Sequence, residues 1–262
     1  MRFESITIET DARGVATLTL ARDDKHNALN SKMILEITEA AHLFGAQSDV
    51  RAVVLTGAGQ SFCAGADLEW MRAQMEAGSE ARAAEARALA MMLKALNDMP
   101  KPLIGRIQGQ AYGGGVGMMS VCDVVIAADH CKFGFTEARL GLIPATIGPY
   151  VLARMGEAMA RRVFMSARLF GAQDAVTLGL VSRAVALADL DEAVGAEVAP
   201  YLSCAPGAVA QAKALTRQFG APISQAQIEH SIAALVDCWE GEEARAGIAA
   251  FFERREPPWV SS

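Results

Sequence analysis

Residues 111–120 read A-Y-G-G-G-V-G-M-M-S, with three consecutive glycines and a fourth two residues later inside an apolar run. The apolar segment Leu103–Ile107 predicts a strand just before them. The first N–H groups of a helix have no internal acceptor, and glycine has no Cβ to keep a ligand atom away. The stretch therefore predicts a strand-to-helix turn whose N–H groups can hold a ligand oxygen. Tight helix packing is the other explanation for these glycines.

The glycines do not match the common nucleotide-binding motifs. The dinucleotide motif G-x-G-x-x-G, counted from Gly113, requires glycine at position 118, which is Met118. It would also follow the first strand of its domain. A P-loop requires Lys and Ser or Thr after its last glycine, and Met118 follows Gly117 instead. The sequence thus disfavours a nucleotide as the ligand.

A second turn of the same kind precedes the first in the chain. Residues 61–68 read S-F-C-A-G-A-D-L, and they follow the apolar strand predicted over Arg51–Thr56. Ligands of open α/β folds bind at the carboxyl ends of parallel strands, where both turns would lie. One N–H group from each turn is expected to meet at a single oxygen.

The remaining segments indicate an α/β core followed by a helical C-terminal third. A hairpin is predicted over Ile6–Ile8 and Val15–Leu20, a helix capped by Asn30, a long helix from about Glu80 to Asn97, and a strand over Val124–Ala128. Strands alternating with helices imply a mainly parallel sheet. Helical periodicity then covers Ile147–Met155, Glu157–Met165, Ala172–Leu178, Leu190–Ser203, Pro206–Phe219, Ser224–Trp239 and Gly241–Arg255.

Composition excludes several classes of partner. The 262 residues carry a formal net charge of −6 without a Lys/Arg-rich run, which disfavours nucleic acid. No apolar run is long enough for a membrane helix. The five cysteines show no C-x-x-C spacing and the four histidines are scattered, so we expect reduced thiols, a cytoplasmic location and no metal site.

Several motifs together resemble the crotonase superfamily, the enoyl-CoA hydratases and isomerases. They are Lys25–Asn30 (K-H-N-A-L-N), Phe62–Leu68 (F-C-A-G-A-D-L), Gly109–Gly117, Phe133–Glu137 (F-G-F-T-E), Leu178–Val181 (L-G-L-V) and the terminal Phe251–Trp259. The resemblance implies a ClpP-like spiral of ββα turns over residues 1–195, containing the coenzyme A and catalytic site. It also implies a C-terminal helical trimerisation region over residues 196–262, and a homotrimer or a dimer of trimers (a hexamer).

The resemblance also implies the roles of individual residues. The N–H groups of Ala66 and Gly114 would hold the thioester carbonyl of an acyl-CoA and stabilise an enolate. Coenzyme A would be the substrate's carrier, with no permanently bound cofactor. The positions that match its binding track are Ala28, Ala64 and Leu68, with Asp67 in the same stretch and Lys25, Lys213 and Arg254 as candidate partners of its phosphates.

One catalytic glutamate of similar hydratases is present and one is absent. Glu137 matches the glutamate of the F-G-x-x-E phrase, and its apolar neighbours Phe133, Phe135 and Leu140 predict a raised pKa suited to proton transfer. Gly117 stands where the other glutamate is expected. Three outcomes stay open: a hydratase that orients water by other means, such as Asp67, Glu69 or Asp123; an isomerase that moves a 3-enoyl double bond with one base; or other CoA chemistry.

The segment after Glu137 resembles a bacterial branch associated with methylglutaconyl-CoA hydratases. That branch acts on branched or carboxylated enoyl-CoAs, for example in leucine degradation. The resemblance therefore predicts syn-hydration of such a 2-enoyl-CoA, with Arg139 as a candidate for binding a distal carboxylate. A non-enzymatic RNA-binding role, known in one branch of the family, is disfavoured by the negative charge.

Overall fold

The computed structural model describes residues 3–221 and 223–260. Residues 1 and 2 of the predicted core region (1–195) and residues 222, 261 and 262 of the predicted C-terminal region (196–262) lie outside the described part. The strands are β1 (Ile6–Thr10), β2 (Val15–Leu20), β3 (Ala52–Gly57), β4 (Ser61–Cys63), β5 (Leu103–Ile107), β6 (Gln110–Tyr112), β7 (Val124–Ala128), β8 (Lys132–Gly134), β9 (Phe170–Gly171) and β10 (Arg183–Val185). The helices are α1 (Ser31–Ala46), α2 (Leu68–Glu76), α3 (Ser79–Asp98), α4 (Gly114–Ser120), α5 (Gly148–Met155), α6 (Glu157–Phe164), α7 (Ala172–Thr177), α8 (Leu190–Leu202), α9 (Pro206–Phe219), α10 (Gln225–Glu240) and α11 (Glu242–Glu253).

The strands form two sheets. The larger has the order β1-β2-β3-β5-β7-β10, and the smaller has the order β4-β6-β8-β9. β1 and β2 form the predicted antiparallel hairpin, and the other neighbours in the larger sheet are parallel. Each successive pair β3/β4, β5/β6 and β7/β8 places one strand in each sheet. The chain therefore winds as a spiral of repeated turns, as the crotonase resemblance predicts.

The predicted position of the two glycine turns needs a correction. The turns were expected directly after Arg51–Thr56 and Leu103–Ile107, at the edge of a single sheet. They follow the short strands β4 and β6 instead, which pair in parallel in the smaller sheet. Strands of three residues are too short to show a period-two pattern, and this is why the sequence did not indicate them. The two turns nevertheless end neighbouring parallel strands, as expected.

Local signals explain the main elements. Every residue of β3 (A-V-V-L-T-G) is buried, which is typical of a parallel strand covered on both faces. α1 begins at the predicted cap, because Asn30 Oδ1 accepts a hydrogen bond from the Met33 N–H at 2.9 Å. The apolar side chains of α1 and α3 join those of the larger sheet in one core.

The helical C-terminal third is confirmed, with each predicted helix within two residues of its observed bounds. α10 packs on α3 through a small cluster that includes Ala86, Ala90, Ile228 and Ile232. α11 lies against the 3-10 turn Glu137–Leu140 and covers one side of the candidate site. Within the described residues, no helix has the length and apolar character needed to cross a membrane.

Candidate active site

A cavity of about 440 Å³ opens where the two glycine turns meet the segment after β8. Most of its wall is apolar, and α10 and α11 close one side. The lining includes Leu29, Ile34, Ala64, Gly65, Ala66, Leu68, Trp70, Met71, Leu89, Gly113, Gly114, Glu137, Arg139, Thr146, Ile147, Leu235, Trp239 and Phe251.

The first turn is held in place by a buried ion pair. Arg22 Nη2 donates to Asp67 Oδ2 at 2.8 Å, and Arg22 Nη1 donates to the Ala28 carbonyl at 2.6 Å. Asp67 also caps α2 by accepting from the N–H groups of Glu69 and Trp70. Burial opposes ionisation of Asp67, but these hydrogen bonds outweigh it and hold its pKa below the usual value. Asp67 is thus a structural anchor of the turn.

The backbone N–H groups of Ala66 and Gly114 both lie at the cavity and have no acceptor among the described residues. The Leu29 N–H donates to the Gly65 carbonyl and the Asp67 N–H to the Leu29 carbonyl, so the Ala66 N–H between them stays unpaired across residues 3–221 and 223–260. Gly114 is the first residue of α4, and its N–H likewise has no acceptor in that part of the chain. Both residues line the cavity.

The glycines let the second turn approach the first closely. A Cβ on Gly115 would lie 2.8 Å from the carbonyl oxygen of Cys63 and 2.9 Å from its Cβ, so only glycine fits between the turns. Gly113 has φ +48° and ψ −115°, a conformation that suits glycine. Complete burial raises the pKa of the Cys63 thiol to about 12. This cysteine is therefore a packing residue and not a nucleophile.

Among the described residues, Glu137 presents the one carboxyl group of the cavity lining. A Cβ built on Gly113 would lie 3.0 Å from Glu137 Oε1, which places the carboxyl beside the Gly113–Gly114 turn. Its other oxygen, Oε2, is buried and has no hydrogen-bond partner among the described residues. Desolvation raises the pKa of Glu137 from 4.5 to about 7. A group with such a pKa can both accept and donate a proton near neutral pH.

Apolar atoms occupy the space beside Gly117, the position that matches the other glutamate of similar hydratases. A Cβ on this residue would lie 2.6 Å from Ile147 Cγ2 and 3.4 Å from Leu93 Cδ1. Close packing therefore fills this space, and a glutamate at position 117 would require Ile147 to move.

The residues predicted to contact coenzyme A fall into two groups. Ala64 and Leu68 line the cavity, whereas Lys25, Ala28 and Asp67 do not. Ala28 is buried, and Lys25 lies on the surface 4.0 Å from Glu69. Of the other suggested cations, Lys213 is paired with Asp123 at 2.7 Å and lines a different cavity.

Sequence reasoning missed two residues of the site, Arg22 and Thr146. Arg22 lies 45 positions before its partner Asp67, and no local pattern links them. Thr146 is buried in the cavity wall, and its Oγ1 has no hydrogen-bond partner within the described residues. The described part of the chain contains no group of three or more His, Cys, Asp or Glu residues arranged to hold a metal ion.

Unpaired N–H groups beside a carboxyl of raised pKa are typical of enzymes that stabilise negative charge on a carbonyl oxygen. The chain belongs to the enoyl-CoA hydratase/isomerase family, whose model matches residues 10–262.

Individual relatives agree with this family. The chain is 32% identical to a crotonyl-CoA hydratase of Syntrophomonas wolfei, over all of both chains. It superposes on the crystal structure of an enoyl-CoA hydratase from Shewanella pealeana with a TM-score of 0.81 and 35% identity, covering 98% of this chain and 97% of that one. An enoyl-CoA hydratase of Mycobacterium smegmatis gives a TM-score of 0.79 at 31% identity, covering 98% and 100%.

Proposed function

We propose that this enzyme adds water to a 2-enoyl-CoA thioester by syn-hydration. The observation that carries the proposal is the meeting of two unpaired N–H groups, on Ala66 and Gly114, with the desolvated carboxyl of Glu137 in one apolar cavity. A thioester oxygen bound between the two N–H groups would gain negative charge as the double bond is attacked. Removing one such donor typically costs about 3 kcal/mol in the barrier.

A single carboxylate can complete the proton balance of the reaction. The water oxygen bonds to C3 while Glu137 accepts one water proton, and the C2=C3 electrons move into the enolate held by Ala66 and Gly114. Glu137 then returns a proton to C2 on the same face, which breaks the enolate and restores the carboxylate. The second water proton stays on the new hydroxyl group.

Isomerisation of a 3-enoyl-CoA is the second candidate. The observation that favours it is the apolar contact of Gly117 with Ile147 and Leu93, where a second carboxylate for water is missing. Glu137 would then take a proton from C2 and return it to C4 as the double bond moves. This route needs one base and no water.

Purified protein assayed with crotonyl-CoA and with a 3-enoyl-CoA separates these candidates. Water addition and double-bond migration are followed separately for the wild type, Glu137→Gln and the control Glu39→Gln, which alters an exposed carboxyl of α1. We expect hydration by wild type and control, and a loss of about 10²- to 10⁴-fold in Glu137→Gln. Double-bond migration without hydration would favour the isomerase, and full activity of Glu137→Gln would contradict the role of this carboxyl.

The apolar wall of the cavity favours a substrate whose acyl group is uncharged, whereas Arg139 favours one whose acyl group carries a carboxylate. Arg139 lines the cavity but is exposed, which suits a carboxylate at the cavity mouth. If the substrate is of the methylglutaconyl-CoA type, Arg139→Gln will raise KM for it and leave KM for crotonyl-CoA unchanged. Equal effects on both substrates would argue against a carboxylate contact and against a role in leucine degradation.

We further propose that the enzyme forms a homotrimer or a dimer of trimers through its C-terminal helices. Large apolar side chains are exposed on this region, with Leu215 53% and Phe219 79% accessible. Such side chains favour burial against another subunit. Light scattering should give three or six chains per particle; a monomer at micromolar concentration would rule the proposal out.

A further inference from the structure

Among the described residues, Thr146 and Glu137 are the two that line the cavity with a buried side-chain oxygen that has no hydrogen-bond partner. The side chain of Thr146 is buried, with 3% of the residue exposed, and Thr146 precedes Ile147, the residue that packs over Gly117. Two side-chain atoms of the described chain are buried without a hydrogen bond, Thr146 Oγ1 and Glu137 Oε2. Both belong to residues that line the same cavity.

A buried hydroxyl without a partner is unfavourable and is uncommon in folded proteins. Beside Thr146, the Ala145 N–H donates to the Ile143 carbonyl and the Gly148 N–H to the Ala145 carbonyl. The hydroxyl takes no part in this turn. Neither the packing nor the turn explains a threonine here, because valine has the same shape. A molecule that enters the cavity would give the hydroxyl a partner.

We propose that Thr146 Oγ1 and Glu137 Oε2 together bind the water molecule that adds to C3. This inference rests on the proposed hydration. A water molecule placed for attack donates one hydrogen to the Glu137 carboxylate and the other to Thr146 Oγ1, and its lone pair faces C3. The hydroxyl thus supplies the second acceptor that a hydratase without a carboxylate at position 117 needs. The reaction's balance is unchanged, because Thr146 gains and loses no proton.

The proposal separates two reactions of the same site. Hydration needs a positioned water, whereas exchange of a C2 proton needs only Glu137 and the N–H groups of Ala66 and Gly114. Loss of the hydroxyl is therefore expected to slow hydration selectively. Solvent-deuterium incorporation at C2 of butyryl-CoA measures the second reaction, since this saturated thioester has no double bond to hydrate.

The matched variants are Thr146→Val, which keeps the shape without the hydroxyl, and Thr146→Ser, which keeps the hydroxyl; Thr146→Ala is a second variant without it. We expect Thr146→Val to lower kcat for the best hydration substrate by about 10- to 100-fold, while C2 exchange changes by less than about twofold. Thr146→Ser should keep most of the hydration. Urea unfolding should show that Thr146→Val is at least as stable as the wild type, because it removes an unpaired buried hydroxyl.

Each outcome supports or overturns the proposal. If the wild type hydrates and both variants lacking the hydroxyl do so equally well, the water-binding role is wrong and the proposed function stands. If Thr146→Val loses hydration and C2 exchange to the same extent, Thr146 supports the fold of the site and does not bind water. If the wild type exchanges C2 protons or moves double bonds but hydrates nothing, the proposed hydration and this inference fail together.

Discussion

Replacing Glu137 by glutamine removes the one carboxyl that the described part of the chain places in the cavity lining, and it keeps the size of the side chain. In the folded protein the pKa of this carboxyl is about 7, whereas its ordinary value is 4.5. Between these values the folded state binds more protons than the unfolded state, so the free energy of unfolding falls as the pH rises. Each pH unit of this range is worth about 1.4 kcal/mol, and complete ionisation inside the fold therefore costs on the order of 3 kcal/mol.

The assay is urea unfolding of the wild type, Glu137→Gln and Glu39→Gln at about pH 5 and about pH 8.5. The quantity to compare is the free energy of unfolding of Glu137→Gln minus that of the wild type. Linkage predicts that this difference is about 2.5 kcal/mol larger at the higher pH than at the lower pH. Glu39 is an exposed residue of α1, so its variant should follow the wild type at both values. If the difference between Glu137→Gln and the wild type is the same at both pH values, the carboxyl is not desolvated as the structure indicates.

Three further predictions test the site and its support. Since hydration needs ionised Glu137, kcat/KM should rise with pH to a plateau above about 7, and a flat profile from about pH 5.5 to 8 would contradict this. Gly117→Ala brings a methyl group within 2.6 Å of Ile147 and should cost about 1–3 kcal/mol in urea unfolding. In the double variant, Ile147→Ala should offset part of the stability lost through Gly117→Ala. If the stability changes of the two single variants simply add, the two positions are not in contact. Arg22→Ala leaves the buried carboxylate of Asp67 unpaired and should lower the free energy of unfolding by about 2–3 kcal/mol, and an unchanged denaturation midpoint would show that the pair contributes little.

The sequence indicated much of the fold because its signals are local. The C-terminal helices have a clear 3.6-residue period, and Asn30 is a good cap residue at the start of α1. The strands β4, β6, β8 and β9 were not indicated, since two or three residues carry no period. Without them the smaller sheet, which brings the two glycine turns together, could not be predicted.

The same division holds for the site. The glycines, with the family resemblance, placed the unpaired N–H groups at Ala66 and Gly114, and the phrase F-G-F-T-E located Glu137. Asp67 was a candidate for coenzyme A, but its carboxylate is bound by Arg22 and by the first turn of α2. A residue's identity shows which bonds it can make, and only its neighbours decide which are made.

By itself, then, the sequence determined that glycine-rich turns precede helices and that position 117 carries no carboxylate, and only with the family resemblance did it point to the N–H groups of Ala66 and Gly114. Tertiary structure alone decided that Ile147 and Leu93 fill the space beside Gly117 and that Thr146 and Glu137 each keep a buried oxygen without a partner. The physical reason is that a turn depends on a few adjacent residues, whereas desolvation depends on every segment packed around a group. The raised pKa of Glu137 therefore follows from its burial in the folded chain.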